Sequence, residues 1–209
     1  MNSATKKCLF VLLSLVVCSE ARGDTADAPY PWILTADKGH VFFAMYPPPA
    51  HSKNNDGAKG ICYRLEPDGS VKELWRISGW YMFGGYLSRS GEYLVRLGPW
   101  AEDLTHHSDL AVAIYKNGKL VKEYRVNELI KNLDALEYSA SHYSWLPGRQ
   151  SGPNQFIDNQ FMLTLIDKTI YSFNLDTGEI VDTDRDPYAV AQSIIDEEVA
   201  QQMLDDVTE

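Results

Sequence analysis

The sequence predicts an all-β chain of about three units, each of four short antiparallel strands, with a short helix after the second unit and an amphipathic helix at the C-terminus. Three observations carry this. The stretches DGSVKELWRIS (Asp68 to Ser78) and NGKLVKEYRVN (Asn117 to Asn127) superpose without a gap, so the chain repeats itself. Each opens on Asp-Gly or Asn-Gly between runs of β-formers, the strongest short-range hairpin signal, because a type I′ turn needs positive φ at both central positions. Two further β-type runs precede each hairpin.

In chain order, PWILTAD and HVFFAMYP flank Lys38-Gly39, and GICYRLEP then leads into the first repeat copy. In the second unit GGYLSRS and EYLVRLGP meet near Ser90-Gly91, followed by LAVAIYK and the second copy. The alignment places Val71 over Leu120, Trp75 over Tyr124, Arg76 over Arg125 and Ile77 over Val126. Asn127 to Leu136 begins with an N-cap candidate and spaces Leu129, Ile130, Leu133 and Leu136 helically, which predicts a short helix packed on a sheet end. In the third unit SHYSWLP and NQFMLTLID lie either side of a Gly/Pro/Gln/Asn loop. TIYSFNLDTGEIVD then supplies a looser hairpin, with Gly178 in the left-handed position of a three-residue turn.

The units run over about 30–78, 81–127 and 138–182, within a β-repeat domain at 24–185. Asp186-Pro187 opens the C-terminal segment, 186–209, with a capping residue and proline at the first helical position. Ile195, Val199, Met203 and Val207 follow at a spacing that makes one face apolar. Asp205, Asp206 and Glu209 put negative charge at the negative end of the helix dipole, which favours fraying. Two readings follow, a peripheral helix with a loose end or a docking helix for a partner.

Four-stranded antiparallel meanders in series resemble the blades of β-propeller repeat proteins, whose repeats run to about 40–50 residues. The signature residues of the named propeller repeats are not in register, and Gly39-His40 stands alone. Closed propellers use roughly four or more blades, against three here. The resemblance therefore implies a sandwich or open barrel, or a homodimer whose two chains combine their blades into one ring and cover their sheet edges.

The first residues, 1–23, have the three-part layout of a secretory signal peptide: Lys6 and Lys7, an apolar run from Cys8 to Val17, and a short polar stretch with small residues. That run is well short of the roughly 20 residues needed to span a bilayer. Cleavage is expected after Gly23 or Ala21, giving a secreted or periplasmic protein; a lipoprotein anchor on Cys18 ranks below this because Val17 precedes it. Arg22-Gly23-Asp24 straddles the cleavage site and carries no weight. Cys8 and Cys18 leave with the signal, so Cys62 stands alone, cannot form an intramolecular disulfide and reads as a buried small hydrophobe. No Asn-x-Ser/Thr acceptor occurs. The formal charge of −10 becomes more negative on processing. That balance argues against binding to nucleic acid or to an anionic membrane.

The stretch EDLTHHSDL raises a metal reading, in which Asp103, His106, His107 and Asp109 act as ligands with His142 joining from a distance, since imidazole and carboxylate both bind zinc. Against it, adjacent residues on extended chain point apart, and the helical His-Glu-x-x-His spacing is absent. The other reading is a strand-to-strand loop whose Asp103, Thr105, Ser108 and Asp109 cap backbone amides. No nucleophile elbow or phosphate loop appears, and Gly84-Gly85 lacks the strand-to-helix context such loops need. The aromatics near strand ends, Trp80, Tyr81, Trp100 and Trp145, suit stacking on sugars or apolar ligand faces, while core filling is the competing assignment for most of them. The sequence thus favours a non-enzymatic β-repeat domain binding a protein or small ligand, with no cofactor. A metal-dependent or carboxylate-based hydrolase and a carbohydrate-binding module are the alternatives.

Overall fold

The computed structural model describes residues 26–36, 39–50, 52, 57–98, 100–148, 156–157 and 159–183. The expected signal segment and C-terminal helix fall outside these residues. Side-chain alternation and glycine turns build three four-stranded antiparallel sheets, each in simple chain order. Sheet 1 contains β1 (Trp32–Thr35), β2 (Val41–Tyr46), β3 (Lys59–Leu65) and β4 (Val71–Ser78). Sheet 2 contains β5 (Gly85–Leu87), β6 (Tyr93–Leu97), β7 (Leu110–Lys116) and β8 (Lys119–Arg125). Between sheets 2 and 3 lie one helical turn, α1 (Val126–Leu129), a 3-10 turn (Leu133–Ala135) and a small ladder of β9 (Glu137–Tyr138) with β10 (Tyr143–Ser144). Sheet 3 contains β11 (Phe156–Ile157), β12 (Gln160–Thr164), β13 (Ile170–Asn174) and β14 (Ile180–Thr183). This mostly-β arrangement, with very little helix, is compatible with an incomplete propeller.

Two apolar cores separate the sheets. Val41, Phe43, Met45, Cys62 and Trp75 pack with Leu94, Ala113 and Tyr115 in one. Tyr93, Val95, Val112, Ile114 and Tyr124 pack with Phe161, Leu163, Tyr171 and Phe173 in the other. Period-2 alternation does this work: along β7, Ala113 and Tyr115 face sheet 1 while Val112 and Ile114 face sheet 3. Five consecutive β7 residues, Ala111 to Tyr115, are buried, the pattern of a strand covered on both faces.

The aligned repeat positions do the same job twice. Trp75 Nε1 donates to Gly91 O at 2.6 Å, reaching forward from sheet 1 into sheet 2. Tyr124 OH donates to Gly178 O at 2.8 Å, reaching from sheet 2 into sheet 3. Turn glycines let the next sheet approach: a Cβ on Gly118 would lie 2.9 Å from Arg76 O, and one on Gly178 would lie 2.3 Å from Lys122 Cβ. Val71 and Leu120 match in exposure, at 53% and 52%. Cys62 is fully buried and free, and burial pushes its thiol up to about 12.

Several local expectations are corrected. Asn117 and Gly118 both have positive φ, 49° and 75°, as a type I′ turn requires. In the Asp68-Gly69 hairpin only Gly69 does, at 85°. With Pro67 before it, that chain closes instead through Gly69 N to Glu66 O and Glu66 N to Ser70 O, a type I turn with a following left-handed glycine. The helix expected over Asn127 to Leu136 lasts a single turn and starts from Arg125, not Asn127. Asp167 of sheet 3 accepts from Lys131 N and Asn132 N and draws the backbone out of helix, leaving Leu133 45% exposed. The stretch SHYSWLP does not open sheet 3; Tyr143–Ser144 pairs with Glu137–Tyr138, and Phe156–Ile157 takes the first place beside β12.

The sheets share two rims. One carries the tight turns at Gly39, Gly69, Gly91, Gly118 and Gly178. The other carries the longer connections, among them residues 79–84, 100–109 and 126–148, and the short β12–β13 turn at 165–169.

Candidate functional site

On the long-loop rim, Asp103 organises the segment between β6 and β7. Its Oδ1 accepts from His106 N at 2.9 Å and Thr105 N at 3.3 Å, and its Oδ2 from the Ser108 hydroxyl at 2.5 Å. These donors, Ser108 foremost, hold its carboxyl well below the usual carboxylate range. Asp103 N in turn donates to Asp109 Oδ2 at 2.8 Å. Asp109 Oδ2 also accepts from Tyr143 OH at 2.9 Å, and burial followed by that carboxylate pushes the Tyr143 hydroxyl well above its ordinary value.

The two histidines diverge. His107 takes a left-handed backbone, φ 52°, which a non-glycine residue rarely adopts. Its buried ring lies edge-on to Tyr143 at 5.0 Å, with Nε2 2.9 Å from Tyr138 OH. His106 is exposed, with Nδ1 3.4 Å from Asp103 Oδ1. Asn127, once an N-cap candidate, clamps both: its Nδ2 donates to His106 O and its N–H to His107 O.

β9 and β10 dock on this loop through Tyr143 N to Ala101 O, 3.0 Å. That contact sets the His142 ring on the Trp100 ring, centroids 3.7 Å apart. His142 Nδ1 lies 2.5 Å from Ser139 Oγ, but the same oxygen accepts from Ser141 N and His142 N, so the pair closes the hairpin turn. Asp103, His107, Asp109 and His142 thus gather at one corner, each with a side-chain hydrogen bond to a neighbour. Among the described residues no three His, Cys, Asp or Glu side chains converge to hold a cation.

The aromatic candidates separate by burial. Tyr81, 2% exposed, ties its hydroxyl to Tyr30 N and O, and Trp145, 4% exposed, fills the second core. Trp80 is half-buried between Tyr115, 4.9 Å away, and the Arg96 guanidinium, 4.5 Å from its ring. Trp100 stays half-exposed at the rim. Tyr138, 54% exposed, packs against His107 and Tyr143 on the same two segments, and Leu104 in the β6–β7 loop is 40% exposed. Sequence reasoning passed over Tyr138, Tyr143 and Arg96; the only local sign for Arg96 was the Gly84-Gly85 pair on the neighbouring strand. A shallow hollow lined by His40, Arg64, Leu65, Glu66, Pro67 and Gly69 opens on the opposite rim.

The arrangement defines a class, an all-β protein of stacked four-stranded sheets with an ordered aromatic corner. No protein-family model matches the chain, and no curated protein matches it. Among solved structures it is similar to the crystal structure of Saccharomyces cerevisiae Sqt1, at 13% identity and a TM-score of 0.25, over 73% of this chain and 49% of that one. The chain therefore spans about half the length of that structure.

Proposed function

We propose that the protein is an exported, non-enzymatic binding domain whose recognition surface is the long-loop rim of sheet 2, centred on Trp100, His142 and Tyr138, and that it takes a protein or small ligand presenting a flat apolar face. The observation that carries this is the exposed Tyr138 and half-exposed Trp100 held in fixed positions by the Tyr143–Asp109, His107–Tyr138 and Ala101–Tyr143 contacts. Aromatic faces ordered in advance lose little entropy on binding. Binding residues on loops over a rigid scaffold are the common arrangement, and the left-handed His107 backbone is the kind of strain kept where surrounding structure enforces it.

The test is Trp emission across a panel of oligosaccharides and aromatic-rich peptides, with Trp100→Ala and Tyr138→Ser beside the unmodified chain. A ligand is expected whose affinity falls about tenfold or more in Trp100→Ala, a loss of roughly 1.4 kcal/mol, while the melting temperature holds. A panel with no response, or a response equal in the Trp100 variant, counts against the reading. Stoichiometric zinc in the purified chain, lost on His107→Ala, would favour the hydrolase alternative instead.

A further inference from the structure

At the seam between sheets 1 and 2, the Arg96 guanidinium has no carboxylate partner among the described residues. Arg96 pairs across the strands with Gly85 on β5 and Ala113 on β7. By strand alternation the Arg96 side chain lies on the same face as Leu94, toward sheet 1. Its guanidinium stacks on Trp80 at 4.5 Å, and Nη2 donates to Tyr81 O at a long 3.3 Å. The Tyr115 hydroxyl is its other neighbour. Nε is buried and has no hydrogen-bond partner, and none of the ion pairs among the described residues involves Arg96. A buried donor left unmade is costly, and more so on a charged group.

We infer that the Arg96 guanidinium, stacked on Trp80 and beside Tyr115, is a binding site for the carboxylate of a small ligand. A guanidinium offers a planar fork that a carboxylate matches with two parallel hydrogen bonds. One cation balances one negative charge, which fits a carboxylate better than a phosphate dianion in a chain of formal charge −10. The carboxylate reaches Nε by displacing the half-buried Trp80 ring, and the weak bond to Tyr81 O is readily exchanged. The site is apart from the Trp100 corner and stands or falls separately from it.

The experiment measures melting temperature and Trp emission with succinate, acetate and glutamate, and with chloride and inorganic phosphate for comparison, on the unmodified chain, Arg96→Met and Trp80→Phe. The expected result is a saturable rise in melting temperature with a carboxylate, a smaller one with phosphate or chloride, and none in Arg96→Met. Trp80→Phe is expected to keep the rise and lose most of the emission change. Arg96→Met itself is expected to melt at or above the unmodified chain, because a guanidinium with an unmet donor is replaced by an apolar side chain. The inference is overturned by the absence of a saturable rise, by an equal rise with chloride, by an equal rise in Arg96→Met, or by a marked loss of stability in that variant, which would make the guanidinium a structural strut.

Discussion

The two rims of the protein are built on opposite terms. On the tight-turn rim, side chains reach between sheets and find partners: Asp176 accepts from Tyr93 OH, Lys116 Nζ and Asn159 Nδ2, and Lys122 pairs with Glu179. On the long-loop rim, Asp167 accepts from Lys131 N and Asn132 N and Trp32 Nε1 donates to Met82 O, while Asp103, Asp109 and Tyr143 bond within the corner and Leu104, Tyr138, Phe83 and Leu133 are left facing solvent. The difference teaches where stability and recognition reside. Apolar side chains are exposed on both rims, Val71 and Leu120 on the first among them; the first rim ties sheet to sheet through charged side chains, whereas the second holds an aromatic corner in place, and exposed apolar groups held in place mark interaction surfaces.

The sharpest break in this contrast comes from the seam aromatic. Trp75→Ala removes a packed side chain and leaves Gly91 O with only the weak Cys62 Sγ donor, so a loss of about 3–5 kcal/mol is expected by denaturant unfolding; a loss near zero would mean that the seam does not hold the sheets. Gly178→Ala comes next, with a loss of about 1–3 kcal/mol, because φ is 71° and the new Cβ meets Lys122 Cβ at 2.3 Å. The smallest effect is a pH dependence. Lys116, then Tyr93 and Asn159, lower the Asp176 carboxyl to about 2, below an ordinary value of about 3.9. A group lowered on folding contributes stability at neutral pH and loses it as pH falls. The melting-temperature gap between the unmodified chain and Asp176→Asn should therefore be full above about pH 5 and close toward about pH 2. A gap that persists into acid would show that the carboxylate charge is not what ties sheets 2 and 3 there.

Much of the architecture was legible in local chemistry. The superposed Trp75 and Tyr124 stretches announced two equivalent seams, and Asn117-Gly118 announced its turn, because both signals depend on a few neighbouring residues. What escaped depended on distant partners. Nothing near Leu133 foretells that Asp167 will capture the Lys131 and Asn132 amides and end the helix. Likewise the Trp100–His142 stack needs β10 to pair with Ala101, a contact between segments far apart in sequence. The candidate site was therefore legible as a collection of residue types but not as a set: His107 and Asp109 fell at one corner, Trp145 and Tyr81 went to the core, and Arg96 takes its setting from Trp80 and Tyr115, both distant from it in sequence.

The burial of β7 on both faces has a further consequence for how the molecule comes apart. Stability in a stack of repeats divides into each unit's own share and a share from each contact with a neighbour. Among the described residues the middle sheet has two such contacts and each outer sheet one. Heat or denaturant is thus expected to open the chain from its outer sheets inward, with the amides of β6 and β7 exchanging last and the loop corner on the ends of those two strands keeping its shape after the outer sheets begin to fray.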